Sequence, residues 1–146
     1  MPYLSTNARS KARLLTLLCL SWLWGCQQDA TPPGLVLTPL KVVLEEVAVG
    51  TQRSSEVRLC ARGVARQGVT VSAVELRCRC GKEFDLGLGR KLPATLAPGQ
   101  CLTANVSFKP REHDPGYIRD DLLITSDTTP TLLVVPVMAS TLPQAR

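Results

Sequence analysis

Cys101-Leu102-Thr103-Ala104-Asn105-Val106-Ser107-Phe108 alternates between two kinds of side chain at every step. Leu102, Ala104, Val106 and Phe108 fall on one side of an extended chain, and Cys101, Thr103, Asn105 and Ser107 fall on the other. A period of two with one apolar face describes a strand that rests on a core and shows its other face to solvent, the habit of antiparallel sheets. Pro98-Gly99 before the stretch and Pro110 after it mark turns.

On either side of this stretch the chain continues as short runs rich in Val, Leu and Thr. Gly and Pro separate them at spacings that leave no room for helices. Strands are expected at 41–48, 54–61, 69–76, 84–88, 101–108, 118–125 and 131–137. Seven short antiparallel strands without helices predict an all-β fold, a seven-stranded immunoglobulin-like β-sandwich with a Val/Leu core. Pro39 and Pro136 then belong on edges or at strand ends, where a missing N–H breaks no ladder. The sequence shows no internal repeat, low-complexity tract or heptad pattern.

Upstream of the strands the pattern changes. Arg9, Lys11 and Arg13 precede an apolar run from Leu14 to Trp24, and Gly25 sits directly before Cys26. A spanning helix needs about 20 apolar residues and an export signal about 7 to 15, so the run reads as a signal peptide. Leu23-Trp24-Gly25-Cys26 resembles the bacterial lipobox, in which the cysteine is acylated and becomes the N-terminus. That resemblance implies a lipid on Cys26 and membrane attachment through it. Gln27, where inner-membrane lipoproteins of this class carry Asp, implies the outer membrane. The alternative is ordinary secretion, with Cys26 left as a terminal thiol. The expected organisation is a signal peptide at 1–25, a lipidated Pro/Gly-rich tether at 26–34, the sandwich at 35–140 and a tail at 141–146.

Processing of this kind alters the charge balance. The signal holds three cations and no acid, so the net charge falls from +5 to +2. Both tryptophans and Tyr3 leave with it, and Phe84, Phe108 and Tyr117 are the aromatics that remain. Single-stranded nucleic acid is held on aromatic faces and duplexes need a concentrated basic field, so nucleic acid is not an expected partner. Arg58, Arg62, Arg66, Arg77 and Arg79 are interleaved with Glu56, Glu75 and Glu83, which predicts a solvated, mixed-charge sheet face.

The order of several short motifs is itself informative. They are Pro39-x-x-Val42-x-Leu44-x-x-Val47-x-Val49-Gly50, Val57-x-Leu59-x-Ala61-x-Gly63, Val69-x-Val71-x-x-Val74, Leu96-x-Pro98-Gly99 leading to Val106-x-Phe108-x-Pro110, and Gly116 with Leu122-x-Ile124-x-Ser126-Asp127. Together they resemble the Hydin-type (ASH) immunoglobulin-like domain, which is related to the major sperm protein fold and which bacteria carry on exported and surface proteins. Ala61 stands where that family usually has Asn. Cys78-x-Cys80-Gly81 resembles the Cys-x-Cys signature of a related bacterial group. The resemblance implies binding or scaffolding through sheet faces and edges, with an envelope protein as partner, and it implies no catalysis.

Cys60, Cys78, Cys80 and Cys101 remain for an oxidising compartment and allow three pairings. In the expected topology the 54–61 and 101–108 strands are antiparallel neighbours, which favours a Cys60–Cys101 bond between two outward positions. Cys78 and Cys80 then form a second, strained bond with a redox role, pair with Cys60 or Cys101 instead, or stay as inert thiols. A thiol–disulfide redox protein using Cys78 and Cys80 is accordingly the rival functional reading. No metal or cofactor is expected. The single histidine, His113, lies in a turn sequence, two thiols without spaced partners do not make a zinc site, and Asp114, Asp120, Asp121 and Asp127 lack calcium-loop spacing. There is no Gly-x-Ser-x-Gly element. Asn105-Val106-Ser107 matches a glycosylation sequon, which a bacterial lipobox makes coincidental.

Overall fold

The computed structural model describes residues 34–63, 68–78, 83–114 and 116–143. The expected signal peptide, Cys26, the tether up to residue 33, Cys80 and the last three residues of the tail lie outside them.

Nine strands follow one another: β1 (Gly34–Thr38), β2 (Val42–Val47), β3 (Arg53–Arg62), β4 (Val69–Leu76), β5 (Phe84–Leu88), β6 (Ala94–Leu96), β7 (Cys101–Phe108), β8 (Tyr117–Ser126) and β9 (Leu132–Thr141). They form a four-stranded sheet in the order β1-β3-β7-β5 and a five-stranded sheet in the order β2-β9-β8-β4-β6. The runs β1-β3-β7-β5 and β9-β8-β4 reproduce the A-B-E-D and G-F-C orders of immunoglobulin sandwiches.

The alternation of β7 places Leu102, Ala104, Val106 and Phe108 in the interior. They pack there with Val57 and Leu59 of β3, and with Leu122, Ile124, Val135 and Val137 from the other sheet. Phe108 is the largest fully buried side chain, and its ring lies 5.2 Å from that of Phe84 on the neighbouring strand. Ser107 faces outward in the alternation yet is buried, because Ser54 and Asp85 flank it across the sheet.

Nine strands replace the expected seven. β1 opens the expected sandwich but is not among the expected strands, because Leu35-Val36-Leu37 is a continuous apolar run just after Pro32-Pro33-Gly34, with no alternation of its own. Pairing with β3 makes it a strand, Val36 opposite Cys60 and Leu37 opposite Leu59. β6 has three residues and was hidden among turn residues, between Pro93 and Pro98. The expectation of purely antiparallel pairing is also corrected, since β2 runs parallel to β9. The chain leaves β1 at Pro39, crosses to the other sheet and meets the last strand there. Side-chain alternation is the same in both pairings, so it carries no information about direction.

Pro39 follows the last residue of β1, as a strand-end proline should. Pro136 lies inside β9, opposite Asp121. The Asp121 carbonyl accepts from the Arg77 amide, so the backbone of Asp121 points to β4 and Pro136 belongs to a non-hydrogen-bonded pair. Its nitrogen therefore faces β2, whose pairing with β9 begins at Val137. The missing N–H falls where no ladder exists.

Candidate functional site

Cys60 and Cys101 are register partners at the ends of β3 and β7 and are joined by a disulfide, with Cα atoms 4.0 Å apart. Both are half-buried on the outer face of the four-stranded sheet. Cys78, exposed just past β4, is also disulfide-bonded.

The acidic residues have backbone duties. The Asp120 carboxylate is buried and accepts hydrogen bonds from the amides of Cys78 at 3.0 Å and Asp121 at 2.7 Å. Asp121 pairs with Arg77 at 3.0 Å. Asp127 accepts from the Thr70 amide and Asp114 from the Arg111 amide, each closing a turn or a strand end. Among the described residues no three His, Cys, Asp or Glu side chains gather as a metal would need, and His113 is exposed in its turn. The arginines are not one face: Arg58 and Arg62 lie on β3 in the four-stranded sheet and Arg77 follows β4 in the other, while Arg66 and Arg79 lie outside the described residues.

A groove of about 670 Å³ runs along the open side of the sandwich. Val74, Glu75, Leu76 and Cys78 line it from β4 and its end. Glu83, Phe84, Asp85 and Leu86 line it from β5, with Lys109 beyond β7. It is open because two strands lack a neighbour there. β6 pairs with β4 only from Val69 to Val71, which leaves Val74 and Leu76 with β8 on one side and no described strand on the other, and β5 ends its sheet.

The backbone of β5 shows which groups are spare. Lys109 donates to the Glu83 carbonyl and the Gly89 amide donates to Thr103, so residues 83, 85, 87 and 89 face β7. The amides and carbonyls of Phe84, Leu86 and Leu88 therefore point outward along the open edge. One of these amides has a local partner, because Asp85 Oδ1 accepts from the Leu86 N–H at 2.9 Å. The alternation in Phe84-Asp85-Leu86-Gly87-Leu88 announced a strand, but nothing in those residues announced that it would stand at an edge.

A second exposed surface lies on the outer face of the five-stranded sheet. β9 is apolar on both faces, and Leu132, Val134 and Met138 line its outward row with Leu123 and Val43 on the strands beside it. Leu132, Val134 and Val43 are exposed.

No protein-family model matches the chain, and no curated protein matches it. Solved structures do resemble it. The secreted serine protease VesC from Vibrio cholerae superposes with a TM-score of 0.54 at 16% identity, over 77% of this chain and 24% of that one. A protein of unknown function from Porphyromonas gingivalis W83 superposes with a TM-score of 0.57 at 15% identity, over 80% of this chain and 50% of that one. The chain thus spans about a quarter and half the length of these two proteins. An ASH/PapD-like domain of human CEP192 aligns over 99% of this chain and 100% of its own at 12% identity and a TM-score of 0.45, a looser likeness. At such identities the likeness is one of fold, and together with the strand order it identifies the chain as an immunoglobulin-like β-sandwich.

Proposed function

We propose that this chain is a lipid-anchored, non-enzymatic protein-binding or scaffolding module of a bacterial cell envelope, built on a Hydin-type domain. The observation that carries the reading is the groove flanked by the unfilled edges of β4 and β5. An unpaired edge beside a groove with apolar residues in its lining is a surface that another chain can complete. The sequence around Cys26 supports the anchor, with the outer membrane as its site and an envelope protein as the partner. Replacing Cys26 with Ala is expected to leave an unprocessed precursor and release the protein from membranes, and continued fractionation with the membrane in high salt would contradict the anchor. Crosslinking in intact cells followed by purification is expected to recover one specific envelope partner.

The rival reading is a thiol–disulfide protein, favoured by the exposed, disulfide-bonded Cys78 at the groove. An insulin-reduction assay separates the two. Turnover that disappears in the Cys78→Ser/Cys80→Ser variant would support the redox reading, whereas inactivity of the parent protein agrees with a binding module.

A further inference from the structure

We infer that the β5 edge is a strand-addition site for an extended segment of a partner protein, one that alternates apolar and cationic side chains. The inference rests on the binding-module reading and names its mode and its ligand chemistry.

Three observations lead to it. The outward backbone groups of Phe84, Leu86 and Leu88 offer a ladder that no strand among the described residues occupies, and main-chain bonds to such an edge supply the affinity of strand addition. The side chains of Phe84 and Leu86 turn inward and line the groove opposite Val74 and Leu76, so every second residue of an added strand meets an apolar floor. The described lining carries Glu83 and Asp85 beside one cation, Lys109, which favours positive charge on the remaining residues of the guest.

Two of the other outer strands are guarded against addition. β2 carries a bulge at Glu46, with φ at 55°, and the Arg53 guanidinium donates to the Glu45 carbonyl at 2.6 Å. β6 is a three-residue piece between two prolines. β1 contributes nothing to the groove lining. Gly87 points to the outer face of β5, and neither a positive φ nor packing requires a glycine there. A Cβ at that position would meet only Asn105, at 3.9 Å, an ordinary contact. Glycine in a strand interior often accompanies close approach by another backbone. Pairing of two copies edge to edge along β5 would gather the Glu83 and Asp85 of both copies on one face of the joined sheet, so like charge disfavours a second copy as the guest.

The test uses the purified protein and a short synthetic peptide alternating valine and lysine, with its valine–glutamate counterpart as control. The lysine peptide is expected to bind and to slow exchange of the Phe84 and Leu88 amides, while the glutamate peptide does not. Leu88→Pro removes an outward N–H without breaking the β5–β7 ladder, and it is expected to abolish binding. Should that variant not fold, Glu83→Lys reverses a rim charge, keeps the Asp85–Leu86 hydrogen bond and is expected to weaken the lysine peptide at least about tenfold. Unchanged binding in either variant would overturn the inference, as would equal binding of both peptides. A dimer of the parent protein that disappears in Leu88→Pro would also overturn it, by assigning the edge to a second copy. Photocrosslinking residues at positions 86 and 134, used in intact cells, separate this failure from that of the underlying reading. A partner captured at 134 and never at 86 overturns the edge site and leaves a binding module, and no specific partner at either position overturns both.

Discussion

Cys60 and Cys101 stand directly opposite one another on β3 and β7, the two central strands of the four-stranded sheet, 41 residues apart in sequence with Cα atoms 4.0 Å apart. The bond lies on the outer face of that sheet, so it fastens the two strands without occupying volume in the core. Adding it constrains the unfolded chain far more than it alters the packing of the folded one.

Replacing both cysteines with serine is expected to lower stability by about 4 kcal/mol, the loop-entropy value for a closed segment of this length. Denaturant titration of the parent and double variant measures the difference. A loss below about 1 kcal/mol would show that the reduced, unfolded chain already holds the two segments together.

Phe108 is fully buried and stacks near Phe84, at the end of the sheet where β5 has only one neighbour. Phe108→Ala is expected to cost about 3–5 kcal/mol through lost transfer energy and the cavity left behind. Hydrogen exchange should show the β5 amides losing protection before those of β8 and β9, because β5 depends on β7 for its whole ladder.

Asp120 is a buried carboxylate with two amide donors, from Cys78 and Asp121. Asp120→Ala leaves both amides without their acceptor and is expected to destabilise by about 2–3 kcal/mol, whereas Asp120→Asn keeps one acceptor oxygen and should cost less. Chemical denaturation of the two variants gives the comparison, and equal losses would point to packing rather than to the hydrogen bonds.

Gly68, just before β4, has φ at 72°, and a Cβ there would run into the Leu96 carbonyl oxygen. Gly99 has a similar φ of 84° but open space around it. Gly68→Ala should therefore be clearly the more damaging of the two, with Gly99→Ala costing about 1 kcal/mol from backbone strain alone. Thermal melts of the pair test this, and equal shifts would mean that the β4–β6 pairing yields to the methyl group.

Much of the architecture was legible in the residues. The strands at 69–76, 84–88 and 101–108 have the bounds read from the alternation of their side chains, because burial of one face is a local property written at every second position. The outward facing of Cys60 and Cys101 was legible for the same reason, and the order of motifs placed their strands side by side. Tertiary structure decided the rest. Backbone hydrogen bonds have no side-chain signature, so the parallel course of β2 beside β9, the recruitment of Leu35-Val36-Leu37 into β1 and the brief pairing of β6 with β4 emerge only when the two sheets close. The groove has the same origin. Val74, Leu76, Phe84 and Leu86 are apolar in sequence, but the register shift between Val71 and Ala73 decides the facing of Val74 and Leu76, and the ending of β6 pairing at Val71 and the edge position of β5 leave the groove between them open.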